Sequence, residues 1–285
     1  MKIIKPFLFM NELDLLKIQF EELYDVVDYF IIIQSEISFQ GNIQPFYGCF
    51  EKNQNLFDKY MDKTIVFNLD KTMFPPLNFP HPQYRRNWIY ENLKTAVNEV
   101  ILDQGLQGDD LVLFGDCDEI PNKEVIKSLK NTKLKLNEYK VLQMDLYYFY
   151  FNYRLTNMKW NGYKLTNIDT FMNTHEIYHT IRQAHDWNPQ YSSDAIPNAG
   201  WHYSYFGGEE KIIHKINSLS HIENKTDKIM DINNIRTSMK TGKDIFGRDN
   251  HKWIIEDIIE DINQVKLPSY VRNNLEKYNK GFNNG

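Results

Sequence analysis

Cysteine is scarce: Cys49 and Cys117 are the only two in 285 residues. Two thiols build no disulfide framework, so an apolar core must hold the fold, and a reducing compartment is expected. Long apolar runs are missing too. The run at residues 29–33 falls far short of the roughly 20 residues a bilayer-spanning helix needs. The opening MKIIKPFLFMNELD has no signal-peptide core and meets an acid by residue 12, so a cytoplasmic chain without a transmembrane segment is expected. There is no excess of positive charge: the net is −5, which argues against nucleic acid as a partner. Gly/Ser linkers and internal repeats are absent, and the expectation is one domain over residues 1–285. In that domain, residues 1–130 would be a nucleotide-binding half and 131–285 an acceptor-side half with a helical C-terminal part.

What the chain does have is 42% hydrophobic residues and 14% aromatics, enough for a large core. Residues 3–9 and 64–69 read as strands, and the wholly apolar runs 29–33 and 111–114 as strands of the buried kind. Leu13, Leu16, Phe20 and Leu23 recur at helical spacing after Asn11, a candidate N-cap; Ile89, Leu93, Ala96, Val97 and Val100 do so within a helix over about 85–102. Residues 50–60 are a further helix candidate. This alternation predicts an α/β fold with a mostly parallel, doubly wound sheet and helices on both faces. Prolines 75, 76, 80 and 82 mark a loop. Beyond 130, residues 141–153 read as an aromatic strand, followed by helices at 209–218, 227–240, 251–263 and from 268.

The chemistry concentrates in DDLVLFGDCDEIP, residues 109–121. A buried strand ends at Phe114, and Asp116, Asp118 and Glu119 follow, with Asn122 placed to cap a helix facing inward through Val125, Ile126 and Leu129. Carboxylates at a strand's C-terminal end stand where open α/β sheets bind ligands. Oxygen ligands two residues apart suit Mn²⁺ or Mg²⁺ on a diphosphate; a solvated acidic turn is the plainer alternative. His175-Glu176-x-x-His179 matches the zinc-hydrolase pattern, with His202 or Glu209 as a third ligand, but its flanks are poor helix. In residues 200–208, GWHYSYFGG, small residues bracket aromatics as in a pocket wall. There Trp201 would shape the acceptor side, and His202 is a candidate metal ligand alongside Asp116 and Asp118. Glu209 and Glu210 are candidate general bases, with Asp186 as another. Lys215 and Arg85, with Arg86 beside it, could meet phosphate. Tyr147, Tyr148, Tyr150 and Tyr153 are expected mainly in packing.

NELDLLKIQFEELYDVVDYF (11–30), DDLVLFGDCDEIP (109–121) and AGWHYSYFGGEEKIIHKI (199–216) together resemble the β-1,4-mannosyl-glycoprotein 4-β-N-acetylglucosaminyltransferases, the bisecting-GlcNAc transferases, over about residues 5–245. The resemblance implies a GT-A-like fold, a UDP-sugar donor (UDP-GlcNAc first), a divalent metal, a glycan acceptor and inversion at the anomeric carbon. It places the Asp-x-Asp at Asp116 and Asp118, the Trp-His pair at Trp201 and His202, and the acid and lysine after the glycines at Glu209 or Glu210 and Lys215. Gln34-Ser35-Glu36 and Gln44-Pro45 depart from the family's pattern near the expected donor pocket, which makes a nucleotide-sugar-binding protein without catalysis a further alternative. With no membrane anchor in view, a microbial or viral glycan built in the cytosol is the acceptor setting expected.

Overall fold

The computed structural model describes residues 1–74, 81–183, 192–256 and 266–282. In chain order the strands are β1 (Ile3–Leu8), β2 (Tyr29–Ser35), β3 (Thr64–Leu69), β4 (Leu111–Phe114), β5 (Glu119–Pro121), β6 (Glu138–Leu142), β7 (Asp145–Tyr148), β8 (Tyr153–Leu155), β9 (Lys164–Asn167), β10 (Ser192–Ile196), β11 (Gly200–Ser204) and β12 (Trp253–Ile255). The α-helices are α1 (Leu13–Leu23), α2 (Cys49–Lys52), α3 (Pro82–Gln104), α4 (Lys123–Leu129), α5 (Ile168–Asn173), α6 (Glu209–Ser218), α7 (Asp227–Met230), α8 (Ile232–Thr241) and α9 (Ser269–Arg272).

Two mixed sheets result, where the sequence suggested one. The larger has the order β10-β6-β9-β4-β1-β2-β3. Its half from β3 to β4 is parallel, while β9 runs antiparallel to both β4 and β6. Alternate residues of the central strands face opposite ways, as the pleat requires. Ile3, Phe7, Phe30, Ile32, Leu111 and Leu113 pack with Leu16, Phe20 and Leu23 of α1. Ile4, Ile31, Ile33, Val112 and Phe114 pack with Ile89, Leu93, Val97 and Val100 of α3. Helices therefore cover both faces, and each helix presents the stripe its spacing announced.

The smaller sheet, β12-β8-β7-β11-β5, comes from the aromatic second half. The strand expected at 141–153 is broken into the ends of β6 and β8 with β7 between them. Phe149, at φ 63°, turns the chain after β7. One face of this sheet, with Tyr147, Trp201 and Tyr203, meets Leu15 and Ile18 of α1 and Val271 of α9. The other packs Tyr148 and Tyr205 against Ile212 and Ile216 of α6 and Ile235 of α8. The first sheet also takes β6, β9 and β10 from the second half of the chain.

Several local expectations change. Residues 50–60 are not one helix but α2 followed by the 3-10 turns Gln54–Leu56 and Asp58–Lys63. Glu12, not Asn11, stands at the cap of α1, and its carboxylate turns back to accept from the backbone N–H groups of Met10 and Asn11. Asp231 caps α8 and splits the helix expected at 227–240. The start of the helix expected at 251–263 is strand β12, paired to β8; the rest of it, residues 257–263, lies outside the described residues, as do Pro75, Pro76, Pro80 and Asp186. Pro82, expected in the loop, instead opens α3; other details hold, for Gly105 closes that helix at φ 61° and the Asn122 side chain accepts from Glu124 N at 2.9 Å. Both cysteines are free and buried.

Candidate active site

β1 lies between β2 and β4, so the winding direction of the sheet reverses there, and the crevice beyond the carboxyl ends of these strands is where α/β sheets take ligands. A cleft with about 690 Å³ of empty space, open to solvent, occupies that position. Leu8, Phe9 and Met10 after β1, Ile33 and Ser35 of β2, Tyr90 of α3, the turn Asp116–Cys117–Asp118, and Lys215 and Ser218 of α6 line it.

The turn between β4 and β5 is tight because Gly115 starts it. A Cβ there would lie 2.1 Å from the Tyr163 ring and 2.6 Å from Glu119 Oε2. Gly115→Ala is therefore expected to lower stability by about 1–3 kcal/mol through overpacking, read as a lower midpoint of urea unfolding. The Tyr163→Ala partner change, by making room, should reduce the penalty of the glycine substitution.

The two aspartates have different partners. Asp116 Oδ1 accepts from Tyr90 OH at 2.7 Å, and its Oδ2 accepts from Arg182 Nη2 at 2.5 Å. The same nitrogen donates to Glu119 Oε1 at 2.6 Å, and Arg182 Nη1 donates to Gly162 O at 2.7 Å. Glu119 is wholly buried; it also accepts from Trp160 Nε1 at 2.7 Å and from Asp116 N at 3.0 Å. Burial opposes the Arg182 charge, but Asp116 and Glu119 outweigh it and hold the guanidinium protonated. Asp118 Oδ2 accepts from Lys215 Nζ at 2.5 Å and lies 3.5 Å from His202 Nε2. Burial alone would raise the Asp118 carboxyl; Lys215 and His202 reverse this and keep it well below the usual carboxylate range. Lys215 is correspondingly raised despite its own desolvation, chiefly by Asp118.

Asp118, Glu119 and His202 bring one ligand atom each within 4.8 Å of one another, all buried. His202 Nδ1 is buried with no hydrogen-bond partner among the described residues. Carboxylate oxygen with imidazole nitrogen is a donor set that suits Mn²⁺ better than Mg²⁺. Two of the three metal candidates read from sequence, Asp118 and His202, meet here. Asp116, whose oxygens accept from Tyr90 and Arg182, is not in that group; Glu119, held by Arg182, Trp160 and Asp116 N, is.

The remaining candidates lie as follows. Lys215 reaches the centre. Arg85 Nε donates to Phe39 O at 2.7 Å, bracing the 37–43 turn over the cleft, while Arg86 is buried with Nη1 on Ser220 Oγ at 3.0 Å. Trp201 neighbours His202 on β11 and so points to the opposite face, where its Nε1 donates to Lys266 O at 2.8 Å. Glu209 is held by Arg236 at 2.9 Å; a hydrogen bond from its own backbone N–H and then Arg236 keep its carboxyl low. Glu210 is exposed at the start of α6, and neither glutamate lines the cleft. Gln34 is buried and bonds to Phe50 N and to the exposed Glu51 and Asn68, whereas Gln44 lines the cleft and meets His214 at 3.1 Å.

Among the described residues, His175 and His179 belong to no group of metal-ligating side chains. α5 ends at Asn173, Glu176 has φ 50°, and Tyr178–Arg182 is a π-helical turn, so the two histidines do not share one α-helical face. Both are exposed, and His179 Nδ1 meets Gln183 at 2.9 Å. The segment instead delivers Tyr178 and Arg182 to the site. Replacing both histidines by alanine is expected to leave bound metal and activity within about twofold of wild type, as for exposed residues away from special features; metal analysis after dialysis, with an activity assay, checks this.

Sequence reading missed Arg182, Glu119 as a buried partner, Tyr90 and Glu12. Glu12 lines both the cleft and a narrower cavity next to it. Its position directly after β1, where a crevice is expected, was the available signal. Arg182 had none, because its partners lie 63 and 66 residues away.

A sheet with a crevice at its reversal point and clustered carboxylates at a strand exit places the molecule among α/β proteins that bind ligands beyond the strand ends. The model of glycosyltransferase family 17 matches residues 1–281, and the chain belongs to that family. It is 29% identical over 123 residues to the human β-1,4-mannosyl-glycoprotein 4-β-N-acetylglucosaminyltransferase, a match covering 42% of this chain and 22% of the human one. The rat and mouse proteins of the same name match to the same extent. The chain thus spans about a fifth of the length of these curated relatives. The cytoplasmic, microbial or viral setting expected from the sequence is corrected here. These relatives are mammalian transferases named for a glycoprotein substrate, and where this chain begins carries no weight against a part-length match. Among the described residues, no helix is long and apolar enough to cross a membrane.

Proposed function

We propose that residues 1–285 form a single GT-A-like domain that transfers a sugar, GlcNAc from UDP-GlcNAc as the first choice, to a glycan hydroxyl with inversion. The observation that carries this reading is the position of the Asp116–Asp118 turn, in the wall of the cleft at the reversal between β1 and β4. Asp118, His202 and Glu119 would hold Mn²⁺. When bound, the ion supplies Lewis-acid neutralisation of the departing diphosphate. Lys215 adds a cation at the same place, and Arg182 fixes Asp116 and Glu119 so that the turn keeps its shape. Tyr90 closes one side of the cleft. The acceptor oxygen gives its proton to a carboxylate as it attacks. Glu12, in the wall shared with the neighbouring cavity, is better placed for this than Glu209 or Glu210.

Ligands that bind only the folded state raise its melting temperature. A thermal-shift panel of nucleotide sugars is expected to give its largest rise with UDP-GlcNAc plus Mn²⁺ and little with either alone. An equal response to every nucleotide, or none, would remove the donor assignment. Turnover of UDP-GlcNAc would set aside a purely binding role.

A further inference from the structure

We propose that the chain carries an acceptor chamber for an anionic oligosaccharide, beyond the transfer centre, where Lys211, Lys277 and Lys280 line one cavity with Tyr150, Phe206 and Tyr278. This deepens the transferase reading and rests on it for the word acceptor. The donor cleft connects by shared side chains to a narrower cavity of about 290 Å³ of empty space, which Asp118, Lys215 and Glu12 line on one side and Phe206 and Lys211 on the other. Phe206 and Lys211 in turn line a third cavity of about 930 Å³ of empty space. A hydroxyl reaching through the neck would arrive beside Asp118, while the rest of its glycan occupied the larger space.

The lining of that space points to the ligand. Three of its residues are lysines, and among the described residues lining it Asp14 is the one acid. Glu209 stands near Tyr150 but is paired with Arg236. On a chain of net charge −5, this is a local excess of the opposite sign. Lys277 is positioned over the aromatic wall, 5.2 Å from the Tyr278 ring centroid and 5.6 Å from that of Tyr270. Lys211 runs across Gly207, where a Cβ would come within 2.6 Å of Lys211 Cδ, at a φ of +107° that a side chain would strain. Aromatic rings give a sugar its apolar face contact, and ammonium groups select carboxylate or phosphate substituents on it.

The test is binding and transfer on a matched panel: one neutral oligosaccharide backbone and the same backbone bearing a uronate, a sialate or a phosphate. The wild-type chain is expected to bind one or more anionic forms about tenfold tighter than the neutral form, with an advantage that shrinks as salt is raised. The carboxylate and phosphate arms identify which substituent is read. Lys277→Ala/Lys280→Ala should abolish the preference while leaving the affinity for UDP unchanged, since neither lysine lines the donor cleft. Equal binding of neutral and charged forms, or an undiminished preference in the double variant, would overturn the proposal. Anionic preference with no turnover of any nucleotide sugar would keep the chamber and remove the transferase. Equal transfer to neutral and charged acceptors would do the reverse.

Discussion

Asp118→Asn is expected to cut sugar transfer by about 10³-fold, the equivalent of about 4 kcal/mol of transition-state stabilisation. The substitution keeps the shape of the side chain and removes its charge. It does two separable things. It takes away the proposed metal ligand nearest to both Lys215 and His202, and it leaves the Lys215 ammonium, partly exposed and 2.5 Å from its partner, without a counter-charge. The second effect lowers stability on its own, by about 1–3 kcal/mol. A double variant separates them. Asp118→Asn/Lys215→Met replaces the ion pair by neutral groups of similar size, so most of the stability should return while transfer stays near background. Steady-state transfer and urea unfolding of the wild type, both single variants and the double variant give the complete cycle. Recovery of transfer in the double variant would mean that Asp118 serves only to neutralise Lys215.

Arg182→Ala has the larger effect on the fold. One guanidinium joins Asp116, wholly buried Glu119 and the Gly162 carbonyl, and the Trp160 indole completes the cluster. Removing it strands a carboxylate with no access to water, for a cost of about 3–5 kcal/mol in unfolding free energy. The loss should exceed that of any exposed lysine substitution, and transfer should fall as well, because the Asp116–Glu119 turn is then free to reshape. Lysine is a poor substitute: a single ammonium on a flexible stem does not reproduce the planar fork that serves several acceptors at once. Chemical denaturation of Arg182→Ala and Arg182→Lys reads both points. An alanine variant as stable as wild type would show that Arg182 does not organise the turn.

Much of the fold was legible because it is local. The short apolar runs that became β1 to β4 and the 3.6-residue stripes of α1 and α3 are local signals, and the caps at Asn122 and Gly105 follow from turn chemistry. The second sheet was not legible. β5, β8 and β12 are three residues each, too short for any alternation to register, and β12 reaches β8 from about a hundred residues away. At the site, the Asp116–Asp118 turn stood out because a buried strand ended in acids. His202 stood out as the one histidine among aromatics. Arg182 and Glu119 did not, since an ion pair is made by distance in space and leaves no trace in spacing. Trp201 lies on the face of β11 opposite His202, packed with Leu15 and Val271, because neighbours on a strand point opposite ways. His175 and His179 had the right spacing, but the positive φ at Glu176 breaks the helix that spacing presumes.

The most direct measurement is anomalous diffraction at the manganese edge from a crystal of this chain grown with UDP and Mn²⁺. The ion is expected within coordination distance of a carboxylate oxygen of Asp118, with the diphosphate in the cleft that Tyr90 and Lys215 line. A manganese peak elsewhere in the molecule, or UDP bound outside that cleft, would contradict it.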